Sequence, residues 1–126
     1  METINLRIVE RHADEAAFLW ERRERAARSP VFDLPSLGEL DGRLEANLEG
    51  LALAGEQGLA ACLAALEAAG RRGSDTDGEL FAAAATAAEL GDTMAFAKLL
   101  VTAKRHASGA RVIGAAIGWL SPARAA

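Results

Sequence analysis

Five leucines, Leu37, Leu40, Leu44, Leu48 and Leu51, recur at intervals of three or four residues. That spacing lines one face of a helix with 3.6 residues per turn, whereas a strand would scatter them over both of its faces. Asp41, Arg43, Glu45 and Glu49 fall largely off the leucine face. The segment from Ser36 to Ala54 therefore reads as an amphipathic helix with its leucines inward. Ser36 and Glu39 have capping-box spacing at its start, and Gly55 is a natural stop.

The same period recurs on either side. His12–Arg28 predicts a first helix, with Ala13, Ala16, Ala17, Trp20 and Ala27 inward and Phe18 and Leu19 broadening the stripe. Within it, Glu21 with Arg25 and Glu24 with Arg28 are i,i+4 pairs in the favourable order. Ser29-Pro30 ends it, and residues 31–35 form a connector. Before it, Ile4, Leu6 and Ile8 alternate, which suggests either a short strand or a lead-in turn.

Glu56–Ala69 predicts a third helix with Leu59, Cys62, Leu63 and Leu66 inward. Its very short link to the second helix implies an antiparallel hairpin. Gly70–Gly78 is polar and glycine-rich and reads as a loop. A fourth helix spans Asp77–Leu90, with Thr76 and Glu79 as a second capping box and Leu80, Phe81, Ala84, Ala87 and Ala88 in contact. After the Gly91-Asp92 turn, Asp92 caps a fifth helix from Thr93 to His106, with Phe96, Ala97, Leu99, Leu100 and Val101 apolar. A sixth, Ser108–Leu120, turns Val112, Ile113, Ala116, Ile117 and Leu120 inward. Its Gly114 and Gly118 permit close helix contact, and Ser121-Pro122 ends it.

Composition narrows the class further. The chain of 126 residues is 51% hydrophobic, much of it alanine, and only 5% aromatic. Small side chains let helix axes approach, whereas β-branched and aromatic residues are too scarce for a sandwich. The expected fold is all-α, about six helices in hairpins, arranged as an α-α superhelix or HEAT-like repeat. Residues 1–126 form a single helical domain. Within it, 1–35 give the first helix and connector, 36–76 a hairpin and loop, and 77–122 the start of a repeat.

The repeat reading rests on a comparison of Glu79–Asp92 with Ala110–Pro122. Leu90-Gly91 and Leu120-Ser121 lie 30 residues apart, with one whole helix between them. Val112-Ile-Gly-Ala-Ala-Ile-Gly-Trp-Leu120 resembles the helix that opens a HEAT-like unit. Over most of its length the chain also resembles the N-terminal part of an uncharacterised bacterial family of HEAT-like proteins. The segments that carry this are Ile8–Trp20, Leu37–Gly50 and Gly78–Ala82. Some members of that family are expected near type VI secretion genes. Members are generally longer, so the resemblance implies a fragment or a truncated relative. It supplies no catalytic residues.

The formal net charge of -4 gives no overall basic footprint for nucleic acid. The cluster Arg22, Arg23, Arg25 and Arg28 is interleaved with Glu21 and Glu24 and reads as a solvated face. Lone Cys62 has no disulfide partner in the chain and sits in an apolar run, which favours a buried thiol. No signal-peptide pattern or membrane-length apolar run is present, so the expected location is cytoplasmic without membrane insertion.

His12 and His106 have no ligand set of metal-site spacing, and no serine lies in a G-x-S-x-G elbow. The glycines of 70–78 form no phosphate-binding pattern, and Asp75, Asp77 and Glu79 fall short of a calcium loop. No catalytic residue, cofactor or metal is expected, and the chain reads as a non-enzyme.

The expectation is a protein–protein interaction, scaffold or adaptor module, accessory to a bacterial secretion system if the resemblance holds. The alternatives are an oligomerisation domain or a helical enzyme or ligand-binding domain without a recognisable motif. The candidate interface residues are Trp20, Asp41, Glu45, Glu49, Ile113 and Trp119. Asp41, Glu45 and Glu49 repel one another at i,i+4 spacing, which a basic partner surface relieves. Trp20 packs in the first hairpin or against a neighbour. Trp119 reads either as core or as an exposed anchor.

Overall fold

Asn5 opens the first helix by accepting hydrogen bonds through its side chain from the Arg7 and Ile8 amides. A computed structural model describes residues 5–29 and 34–120. In these residues the chain forms six helices and no strands: α1 Leu6–Ala27, α2 Leu34–Ala54, α3 Glu56–Arg71, α4 Asp77–Leu90, α5 Thr93–Ala103 and α6 Gly109–Gly118. Pro30, the connector at 31–33 and the Ser121-Pro122 stop lie outside the described residues.

The alternation at the N-terminus yields helix from Leu6 onward, with Leu6 and Ile8 both exposed; Ile4 lies outside the described residues. The cap at Asn5 supplies the local reason. Val9, Ala13, Ala16 and Trp20 form the buried stripe of α1, while Phe18 is exposed.

The leucine face of α2 is buried at Leu40, Leu44 and Leu51 and partly buried at Leu37 and Leu48. The helix starts at Leu34, so Ser36 lies in its first turn and is not its N-cap. Pro35 fits there because first-turn amides have no intrahelical acceptor.

The α2–α3 link is Gly55 alone, at φ 63°. Across it the helices turn by 118°, which makes an open hairpin and not the antiparallel one expected. The short link presses the start of α3 against the end of α2, where a Cβ on Gly58 would lie 2.0 Å from the Leu51 carbonyl oxygen. Leu59 and Cys62 are buried, but Leu63 is exposed.

α3 ends in a Schellman turn, with Ser74 N–H donating to the Ala69 carbonyl and Gly73 at φ 71°. α4 ends the same way, with Asp92 N–H donating to Ala87 and Gly91 at φ 69°. The N-terminus of α4 departs from the expected capping box, since Thr76 makes no side-chain cap. Asp75 accepts from the Asp77 amide instead, and Glu21 of α1 accepts from the Gly78 amide at 3.1 Å. A carboxylate suits that position because the helix dipole puts positive potential there.

Asp92 caps α5 by accepting from the Ala95 amide. The α5–α6 corner is close: a Cβ on Gly109 would lie 1.9 Å from the Ala103 carbonyl oxygen. By contrast, nothing among the described residues lies within 4 Å of a Cβ built on Gly114 or Gly118. They mediate no close helix contact, because that side of α6 faces outward.

α4 organises the whole. Leu80, Phe81, Ala82, Ala83, Ala84, Ala85, Thr86 and Ala87 are consecutive and all buried. This helix packs on each of the other five. Alanine around its circumference is what lets so many neighbours approach. One core cluster draws residues from all six helices.

Candidate interaction cleft

An aromatic column runs through the core beside α4. Trp20 of α1 stacks on Phe81 with ring centroids 5.0 Å apart, and Trp119, just past α6, meets Phe81 edge-on at 6.4 Å. Arg111 lies over the Trp20 ring and Arg23 over the Trp119 ring, each 5.8 Å from the centroid. Glu24 ties the two cations together, pairing with Arg23 at 3.0 Å and with Arg111 at 3.1 Å. Arg23 also pairs with Asp41 of α2, and Arg111 with Asp77 of α4. Ser108 donates to Asp77 at 2.7 Å, which fastens the start of α6 to the start of α4. Glu21 and Glu24 thus reach across to other helices.

This frame holds Trp119 at the edge of a cleft of about 320 Å³ between α2, α4 and the chain after α6. Leu48, Ala52, Ala85, Trp119 and Leu120 supply apolar walls, and Glu45, Glu49 and Glu89 supply carboxylates. The i,i+4 pair Glu45 and Glu49 lies on exposed helix surface, while Glu89 is half-buried. The cleft therefore offers apolar contact beneath a negative rim.

Three of the expected interface residues, Glu45, Glu49 and Trp119, meet in this cleft. Asp41 does not; it is held by Arg23 on the α1 side of α2. Trp20 is 1% exposed and Ile113 is 7% exposed, so both belong to the core and not to a surface. Their helical stripes had room for either role, and the packing of α4 against α1 and α6 decides it. Spacing did not single out Glu89. Its signal was present nonetheless, as the charge that interrupts the apolar run from Leu80 to Leu90.

The residues weighed for chemistry do not themselves line the cleft. Cys62 is buried, with its sulfur 3.7 Å from the Thr86 hydroxyl. Burial pushes its thiol pKa up to about 11, so the thiolate form is suppressed. Burial likewise raises the Glu79 carboxyl above its usual range, and the charge of Glu21 adds to the effect. His12 Nδ1 bonds the Asn47 side chain at 2.8 Å, and its ring lies on Gly50, where a Cβ would come within 2.8 Å of Nε2. That glycine admits the imidazole between α1 and α2.

Among the described residues, no group of three His, Cys, Asp or Glu side chains is placed to hold a metal ion. Among the same residues, no single helix is long and apolar enough to cross a membrane. Only α2 and α3 taken together pass that test, and they are bent by 118°.

Fold and cleft define an all-α protein of six packed helices, among the described residues, with an acid-rimmed apolar groove. Compared with protein-family models, curated proteins and solved structures, the chain matches none.

Proposed function

We propose that this protein is a non-catalytic protein–protein interaction module, a scaffold or adaptor, whose cleft receives a basic side chain flanked by apolar residues of a partner protein. The observation that carries this reading is the exposed i,i+4 pair Glu45 and Glu49 over walls built from Leu48, Trp119 and Leu120. A lysine or arginine stem covers apolar surface while its charged end reaches the rim. Charge complementarity of that kind favours basic partners and rejects acidic ones.

α4, α5 and α6 pack in all three pairings, and so do α2, α3 and α4. Such overlapping triads support a HEAT-like succession, in which helix pairs stack and display a continuous surface. The added packing of α1 on α4 folds the first helix back over the stack. On the resemblance described above, the partner would be a component of a bacterial secretion system.

The test is selection of a random peptide library on the protein, followed by titration of the enriched peptides. Enriched sequences should place Lys or Arg beside Leu, Phe or Trp. Their affinity should fall about tenfold or more on Glu45→Gln/Glu49→Gln and weaken as salt rises. Enrichment of peptides without basic residues, or equal binding to the double variant, would overturn the reading.

A further inference from the structure

The outward side of α5 is largely apolar, interrupted by exposed Lys98. Met94 is 72% exposed and Val101 55% exposed, with Ala97 and Leu100 exposed between them. The opposite side, Leu99 and Ala103, is buried against the core. A helix with apolar residues on most of its circumference is ordinarily covered on most of it. The exposed apolar surface does not end at α5. Ile117 of α6 is half-exposed beside it, and a groove of about 360 Å³ lined by Ala87, Ala88, Phe96, Ala97, Leu100 and Ile117 adjoins it.

The two ends of this apolar stripe carry opposite charge. Exposed Asp92 stands at the N-terminal end of α5, and exposed Lys104, Arg105 and His106 stand just past the C-terminal end. We propose that α5 is the seam of a homodimer, in which it packs antiparallel on α5 of a second copy about a two-fold axis. That arrangement sets each Asp92 against Lys104 and Arg105 of the other copy, which a parallel pairing does not. It also opposes the two helix dipoles.

The register follows from the charges. Matching Asp92 to Lys104 and Arg105 brings Leu100 of one copy over Ala97 of the other, large onto small, so that the axes approach closely. The same face thus serves both partners, as a two-fold interface requires. Lys98 and its copy flank the axis on one side and are the repulsive element of the seam. This surface is separate from the acid-rimmed cleft and does not depend on its reading.

The experiment is sedimentation equilibrium on the full chain, from micromolar to near-millimolar concentration, with helix content checked by circular dichroism. A reversible monomer–dimer equilibrium is expected. Val101→Asp should weaken it by about tenfold or more, because a carboxylate is then buried in the seam. Asp92→Asn keeps the α5 cap but removes the charge, and should weaken association about two- to threefold at low salt and not at high salt. Lys98→Ala should strengthen it. A chain that stays monomeric throughout this range overturns the proposal. So does a dimer indifferent to Val101→Asp in a variant that keeps its helix content, or one indifferent to Asp92→Asn at low salt.

Discussion

α4 and α5 are adjacent in the chain and both mostly apolar, yet the fold treats them in opposite ways. From Leu80 to Ala87 every residue of α4 is buried, under cover from five other helices. α5 packs on α4 and α6, and its far side carries Met94, Leu100 and Val101 in the open. A helix whose faces are mostly apolar therefore reports a demand for cover on most sides. Whether the same chain supplies that cover is a matter of tertiary packing, and the comparison shows both answers in neighbouring helices.

The sharpest way to break the comparison is to attack the covered helix. Phe81 is fully buried between Trp20 and Trp119. Phe81→Ala removes the middle of that column and leaves a cavity that rigid helix backbones only partly close. Unfolding by urea should show a loss of about 3–5 kcal/mol. A loss below about 1 kcal/mol would mean that α4 is not the element on which the other helices depend.

The next largest effect tests how dry the α3–α4 contact is. The Cys62 thiol, held against Thr86, keeps its proton up to about pH 11, whereas its ordinary value is 9.0. Between those values the folded chain binds more protons than the unfolded chain, so stability falls as pH rises. The full effect is about 3 kcal/mol across the window. Urea titrations of wild type and Cys62→Ala at several pH values isolate it, since the variant lacks this slope while sharing every other titration. Equal slopes would show that water reaches the thiol.

Much of this was legible in the sequence, and the boundary has a physical basis. The leucines of α2 announce a helix because period alone fixes their common face. The glycine at position 91 announces the end of α4 because a left-handed residue is needed there. Periodicity says nothing of what covers a face. The cap on α4 comes from Glu21, and the orientation of Trp119 from Arg23 and Phe81, all remote in sequence. For that reason Trp20 and Ile113 fit a surface role on paper and a core role in the fold. Glu45, Glu49 and Trp119 were visible as separate candidates, but only packing joins them to Glu89.

The smallest effect bears on the uncovered helix. Met94 is among the most exposed apolar side chains described. Met94→Ser removes apolar surface that the monomer leaves in water. In dilute protein the change in unfolding free energy should stay within about 0.5 kcal/mol. The same substitution should matter more as concentration rises, because association that buries α5 adds stability to the folded state by mass action. The expected signature is a melting temperature that climbs with concentration in wild type and climbs less in the variant. A variant as destabilised in dilute solution as in concentrated solution would place Met94 in the monomer's own packing. The contrast between a helix covered by its own chain and one left for another would then fail.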